Sequence, residues 1–468
     1  MAQHPEWDIE ADVVVIGAGG GGLTAALAAS RTGAEVIIFE KTEFVLGNTA
    51  ASAGMIPAAG TAQQRELGID DSAETMMHDI LRKNNKESDL EVTRALCEAS
   101  GPLIDWMTEE LAFDLSVVTE FRYPGHSRLR MHAPPSRAGE DLVKMLKRAL
   151  QKQENAYLML RSPVVRLYTD ERGAIIGVEA DTPQGAQYVR AKKVILASNG
   201  FGGNMELVKK YIPEIAEALY FGYEANTGDA IMWGEELGAA LSCMSGFQGH
   251  SSVAPSHGIL MTWGGVMSGG FLTNKEGRRF GNEAQGYSEF ALEVMKQPEG
   301  YANYIFDAAI YNQLGGIEDF RRLDEMNAFK KAETPAELAQ KLGMNPHVFE
   351  EEVLAFNQAV ASGVDAFGRT HLPKKLEAPL YGLKVVPALF HTQGGLKINR
   401  HAQVLKKDGN PIPNLYAVGG AAAGVSGRHP KGYMSGNGLL AALGFGKIAG
   451  DHAAAQLSEN MKAGGIIL

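Results

Sequence analysis

The polarity pattern of the first forty residues changes period twice. Residues 12–16 are a short apolar run, residues 20–31 are rich in alanine and leucine, and residues 35–39 are a second apolar run. Short apolar runs bounded by glycine or charge fit buried parallel strands, and the stretch between them has the length of a helix. The pattern predicts strand, helix, strand. Farther along, residues 91–111 and 140–151 carry helical apolar spacing, and residues 156–181 read as strands broken at the turn Asp170-Glu171-Arg172-Gly173. Residues 193–197 read as another buried strand running into Asn199-Gly200, and residues 228–240 as a helix of small side chains.

From about residue 250 to residue 388 the texture differs. Glycine-rich loops at 264–270 lead into charged helical stretches between 287 and 360. An apolar strand at 414–418 and a helix at 439–454 then restore the earlier pattern. At 468 residues the chain is too long for one ordinary core. The expectation is a first domain of residues 1–249 and 386–468, interrupted by a second of residues 250–385.

Composition narrows the partners. With 55 acidic against 44 basic residues and a net charge of -11, a nucleic acid or an anionic membrane is disfavoured, although one basic pocket would suffice for a small anion. Cys97 and Cys243 lie far apart and form no CxxC, so no zinc, iron–sulfur or haem site is expected. They read as two reduced thiols of a cytoplasmic protein. Residues 1–10 are polar, with no basic stretch followed by an apolar one, so no signal peptide is expected. No uncharged apolar run of about 18 residues is present to predict a membrane span. Met76, Met77 and Met107 read as core.

The first strand runs into Gly17-Ala18-Gly19-Gly20-Gly21-Gly22, which satisfies GxGxxG. Gly17 allows the tight turn, Gly19 lets the backbone approach a pyrophosphate, and Gly22 lets helix and strand pack closely. The helix then aims its N-terminus at the phosphates. Glu40, eighteen residues beyond Gly22, ends the second strand where a carboxylate accepts from ribose hydroxyls. It would repel a 2'-phosphate, which disfavours NADP; NAD remains a rival for this motif alone. A second stretch of small residues, Leu46-Gly47-Asn48-Thr49-Ala50-Ala51-Ser52-Ala53-Gly54, follows Lys41 and suits a backbone lying beside a flat ring. Leu415-Tyr416-Ala417-Val418-Gly419-Gly420 and Ser435-Gly436-Asn437-Gly438-Leu439-Leu440 read as a third contact, near a ribityl chain and a pyrimidine edge. Together these favour FAD.

These segments resemble the flavoprotein family of fumarate reductase and succinate dehydrogenase, which includes L-aspartate oxidase, urocanate reductase and the 3-ketosteroid dehydrogenases. The resemblance extends to residues 193–204, Thr227-Gly228-Asp229-Ala230, Gly277-Arg278-Arg279-Phe280-Gly281-Asn282-Glu283 and His391-Thr392-Gln393-Gly394-Gly395. It covers nearly the whole chain. It implies an α/β fold, a Rossmann-like FAD-binding domain with an inserted α+β capping domain and the active site between them. It also implies cofactor contacts at Gly17, Gly19, Gly22, Glu40 and Lys41, at Asn48, Thr49, Ala53 and Gly54, at Val165, Asn199, Gly200 and Asp229, and at Gly420, Asn437, Leu439 and Leu440. Arg130 and His132 are similar to an Arg-x-His found near the flavin in relatives.

Within the family, departures from the fumarate reductase pattern are informative. Tyr287 stands where those enzymes carry the arginine acid, and Tyr433 where they carry a substrate-binding arginine. Their proton-relaying glutamate and arginine align with Trp263 and Val266, which cannot relay a proton. The pair of tyrosines, with Tyr433-Met434-Ser435-Gly436, is similar to the 3-ketosteroid dehydrogenase branch of the 4-ene-forming type. That implies desaturation of a ketone: Tyr433 and the Gly436 N–H polarise the oxygen, Tyr287 takes the alpha proton with Ser435 relaying, and the beta hydrogen leaves as hydride to the flavin. An ordinary phenol, of pKa about 10, is ionised in only about one molecule in a thousand at pH 7. Either Tyr287 has a lowered pKa or the neutral phenol must serve. His250, Thr262 and His391 match positions that hold substrate carboxylates, and Arg428 with His429 adds positive charge, so a keto acid such as an oxo-cyclohexanecarboxylate is a further expectation. The alternative is a reductase of an activated alkene acid. The electron acceptor leaves no motif.

Overall fold

The computed structural model describes residues 5–464 and contains two large β-sheets. The N-terminal reading above concerns in part residues 1–4, which lie outside the described residues. In the first sheet the strand Ile9–Ile16 lies between Val36–Phe39 and Gly185–Leu196 and is parallel to both. Ala156–Met159 extends the sheet beyond Val36–Phe39, and Pro411–Ala417 extends it beyond Gly185–Leu196, again in parallel. Val13, Val14 and Val15 have no exposed surface. Strands covered on both faces read as continuous apolar runs without alternation, which is what the sequence showed. The hairpin Val164–Thr169 and Ile175–Thr182, turned at residues 170–173, joins this sheet antiparallel.

The helix Gly20–Ser30 is buried on every side and therefore has no polar stripe. Against it lies the long helix Asn437–Gly464. A Cβ on Gly446 would stand 2.5 Å from the Gly21 carbonyl oxygen, so the two backbones approach as only glycine permits.

The second sheet is built on Leu380–Thr392. It pairs antiparallel with Phe247–Ala254, Ala302–Asp307 and Lys330–Ala332, and parallel with Leu219–Tyr220. No strand was expected at 380–392, because Gly382 and Pro387 interrupt its apolar pattern. The ladder accommodates Pro387 by a register shift between His250 and Val253 on the neighbouring strand. The expected domain borders at 249/250 and 385/386 fall inside these two strands. The charged stretch at 287–360 resolves into five helices, from Tyr287–Met295 to Pro346–Ser362, with strands between them. Met76, Met77 and Met107 sit in the first core.

Cys97 and Cys243 are unpaired, and burial pushes the Cys97 thiol up to about 12. Among the described residues no cluster of histidine, cysteine and carboxylate side chains could hold a metal, and no helix is long and apolar enough to cross a membrane.

Candidate active site

A cleft between the two sheets takes in about 1820 Å³ of space free of protein atoms, part of it open to solvent. Its lining runs from Gly17, Gly19 and Glu40 to Tyr287 and Tyr433.

One end is formed by the turn after Ile9–Ile16. Gly17 has φ +106, and a Cβ there would stand 2.5 Å from the Ala197 carbonyl oxygen. A Cβ on Gly22 would stand 1.9 Å from the Gly17 oxygen, so Gly22 serves helix–strand packing and does not line the cleft. At Gly19 a Cβ would meet nothing within 4 Å. That open cradle faces the N-terminus of Gly20–Ser30, whose free N–H groups favour an anion. Glu40 is fixed at the cleft edge by the Ala18 N–H at 2.9 Å and the Thr42 N–H at 3.0 Å, both donating to its carboxylate. Lys41 donates to Asp229 at 2.9 Å and to Thr227 Oγ1 at 2.8 Å. Asn48 accepts from the Tyr223 N–H and donates to the Phe390 carbonyl, tying the small-residue stretch to the second sheet. Thr49 Oγ1 accepts from the Gly20 N–H at 3.2 Å. Ala53, Asn199, Gly420 and Leu439 complete this wall. A phosphate cradle, a carboxylate for ribose and a run of small residues in one long cleft fit the shape and chemistry of FAD.

Five other expected cofactor residues do not line the cleft. Strand alternation turns the Val165 side chain outward, 44% exposed, while Val164 lines the cleft. Helix geometry sets Leu439 and Ala442 on the cleft and buries Leu440 in the core on the other side. Gly54 (φ +64) makes a turn against Ala138, and Gly200 is needed because a Cβ would stand 1.9 Å from Thr392 Oγ1. Asn437 is buried beside the cleft with neither side-chain polar atom partnered.

The far end is aromatic. The rings of Tyr287 and Tyr433 lie 6.1 Å apart, with Ser435 and Gly436 beside them. Burial, and then the nearby Tyr433, push the Tyr287 phenol well above its ordinary value, against the opposing Ser435 hydroxyl. Burial likewise pushes Tyr433 up to about 12, although the N–H groups of Gly438 and Gly436 approach its oxygen. The possibility of a lowered Tyr287 pKa is thereby corrected: the apolar surroundings keep the phenol neutral.

His250 and Thr262 also line this end. Thr262 Oγ1 accepts from the Gly264 N–H at 3.2 Å. The Ser252 hydroxyl donates to the Met261 carbonyl at 2.7 Å, so at 3.1 Å it can only accept from His250 Nδ1–H. That tautomer leaves a lone pair on His250 Nε2. Burial lowers the imidazole to about 3, so it stays uncharged. His391 lines the cleft with both ring nitrogens engaged. Nε2 contacts Asn199 Oδ1 and Nδ1 contacts Gln393 Nε2, each at 2.8 Å, and burial lowers its pKa to about 4.

Arg428 is corrected outright. It is exposed and outside the cleft, because Gly427 (φ +75) turns the loop and Glu87 accepts from the Arg428 N–H at 2.8 Å. Arg130 and His132 also point away. Arg130 is buried in ion pairs with Asp71 and Asp79, His132 bonds Thr61, and the intervening Met131 faces the cleft.

Several cleft residues went unread in the sequence, Tyr123 and Arg137 among them. Tyr123, buried with its phenol pushed up to about 12, contacts Thr262, and Arg137 is paired with Glu120 at 2.7 Å. Both come from loops whose local sequence carries no periodic or motif signal.

An FAD binding domain model matches residues 12–439. The probable fumarate reductase Ifc3 of Shewanella frigidimarina (strain NCIMB 400) is 32% identical over 448 residues, 94% of this chain and 74% of that protein. The open conformation of a flavocytochrome c3 fumarate reductase superposes with a TM-score of 0.79 at 31% identity, over 96% of this chain and 79% of that one. The 3-ketosteroid-delta4-(5alpha)-dehydrogenase of Rhodococcus jostii RHA1, in complex with 4-androstene-3,17-dione, gives 0.74 at 26% identity, over 96% and 98%. With most of its length matched and with the flavin cradle in place, the chain belongs to the FAD-dependent oxidoreductase family of fumarate reductase and succinate dehydrogenase.

Proposed function

We propose that this oxidoreductase desaturates a ketone, most simply a cyclic one, between the carbons alpha and beta to the carbonyl, and passes the electrons to an external acceptor. One observation carries the reading: two phenols and the Ser435–Gly436 turn converge at the aromatic end of the cleft, and no unpaired cation joins them. The positive groups lining the described cleft are Lys41, paired with Asp229, and Arg137, paired with Glu120. A carboxylate would meet the lone pair of His250 and a His391 that is already committed. A neutral carbonyl needs only donors.

In this reading the Tyr433 hydroxyl and the Gly436 N–H donate to the ketone oxygen and stabilise the charge that develops there. The alpha proton passes to the oxygen of Tyr287 in its minor ionised form, the phenol having first given up its own proton through the Ser435 hydroxyl to solvent. Trp263, His250 and Phe390 exclude water around the transferring proton. The flavin, when bound, supplies the hydride acceptor.

A second reading, reduction of an activated alkene acid, is favoured by the identity with the probable fumarate reductase and by a Tyr287 held protonated, as a proton donor needs. Anaerobic mixing separates the two. Bleaching of the oxidised flavin by saturated cyclic ketones, from cyclohexanone to 3-oxosteroids, with an enone formed, supports desaturation. Reoxidation of the dithionite-reduced protein by fumarate or urocanate, with no bleaching by any ketone, overturns it.

A further inference from the structure

His126 belongs to no motif and does not line the cleft, yet it contacts the machinery from behind. It is 5% exposed, and its Nε2 lies 3.0 Å from the Ser435 carbonyl oxygen. A carbonyl only accepts, so Nε2 carries the proton. The carbonyl of Ser435 and the N–H of Gly436 are the two ends of one trans peptide group and point in opposite directions. His126 therefore grips the carbonyl side of a peptide whose N–H belongs to Gly436, a residue that lines the cleft beside Tyr433. Among the described residues no main-chain carbonyl accepts from that N–H.

We propose that His126 is a positioning residue for the carbonyl-binding end of the cleft, one that aims and polarises the Gly436 N–H through the Ser435 carbonyl; the proposal rests on the ketone reading above. Hydrogen bonding at one end of an amide strengthens donation at the other, so the effect grows as negative charge develops on the substrate oxygen.

The grip is rigid at both ends. Gly436 has φ +81, and a Cβ there would stand 2.5 Å from Pro57 Cδ, so the peptide is confined from the opposite side. His126 sits on a clamped segment. The next residue, Ser127, donates to Asp79 through its N–H at 2.8 Å and its hydroxyl at 2.6 Å, and Asp79 is held in turn by Arg130 at 2.5 Å. Gly125 (φ +88) lets the same segment pass Met434, where a Cβ would stand 2.8 Å from Met434 Cγ. The buried ion cluster of Asp71, Asp79 and Arg130 thus acquires a purpose beyond stability: it fixes the donor behind the reactive peptide. The second ring nitrogen, Nδ1, is buried without a partner. The Nε2 contact is therefore the one hydrogen bond that offsets the cost of burying this imidazole among the described residues.

The test compares His126→Phe, which fills the space without a donor, and His126→Gln, whose amide nitrogen can restore it, using flavin-loaded full-length protein. Two readouts are taken: the limiting rate of anaerobic flavin bleaching by a cyclic ketone with the ketone's Kd, and binding of 4-nitrophenol to the oxidised protein, followed by its phenolate absorbance. The expectation for His126→Phe is a limiting rate about tenfold lower or more, with ketone Kd within about twofold, 4-nitrophenolate binding weakened by a similar factor, and both recovered in His126→Gln. Equal losses in the two variants would indicate packing alone and overturn the proposal. So would an unchanged rate and unchanged phenolate affinity in His126→Phe, or a wild-type protein that binds no phenolate. If no ketone bleaches the wild type, the ketone reading falls by itself, and the phenolate arm still decides the role of His126.

Discussion

The imidazole of His250 lies flat on the phenol of Tyr287, with 4.3 Å between ring centres and 19° between planes. The stack explains how two polar rings share a buried wall. Each covers a face of the other, and their polar edges are left for Ser252 and for the cleft. It also keeps both rings uncharged, since neither ion would be solvated there.

The neutral phenol shapes the pH dependence of flavin reduction. Tyr287 has its pKa raised, so its ionised fraction keeps increasing with pH well past neutrality. Ketone-dependent bleaching should rise from pH 6 to pH 9 with no plateau and no inflection near 6.5, because His250 is already uncharged there. Stopped-flow rates that level off below pH 8 would contradict this.

Removing either phenol should separate chemistry from cofactor binding. Tyr287→Phe is expected to lower the limiting rate by about 10²–10⁴, the range for a lost acid–base group. Tyr433→Phe should cost about 10²–10³, the range for a lost oxyanion donor. Flavin content and the visible spectrum should stay those of the parent, since neither residue touches the phosphate end.

Gly19 and Gly22 should fail in different ways. A Cβ at Gly19 projects into the open cradle, so Gly19→Ala should fold normally and purify with little flavin. A Cβ at Gly22 meets the Gly17 oxygen, so Gly22→Ala should lose about 1–3 kcal/mol of stability from overpacking. Flavin absorbance per chain and the denaturation midpoint together check the contrast.

Four histidines with lowered pKa values predict a loss of stability in mild acid. His126, His132 and His391 are lowered to about 4 and His250 to about 3, against about 6.5 in an unfolded chain. Between pH 7 and pH 5 the unfolded chain takes up protons that the folded chain does not, so stability is full above about 6.5 and declines as pH falls. The urea midpoint should drop over that window, and less steeply in His132→Gln. A flat or rising midpoint would sink the argument.

Arg428 should be dispensable for the substrate. Because its side chain lies outside the cleft, Arg428→Ala should leave the apparent affinity for a keto acid within about twofold. A large rise in KM would mean that the loop swings inward when substrate binds.

The sequence by itself determined the parts whose chemistry is local. The GxGxxG turn, the carboxylate of Glu40 and the small-residue run at 46–54 declare a flavin cradle because each depends on backbone conformation and steric allowance within a few neighbouring residues. The tyrosines at 287 and 433 were legible through their place in family motifs. Only the tertiary structure decided what depends on which faces meet. Strand and helix periodicity put Val164 and Leu439 in the cleft and turned Val165 and Leu440 away. The bulge opposite Pro387 lies beside His250, and the loop turn at Gly427 took Arg428 outside. Protonation was likewise invisible beforehand, since a pKa responds to desolvation and partners brought from distant segments. His126, 309 residues from Ser435, meets it only because folding removes both from water and leaves one carbonyl for one ring nitrogen to hold.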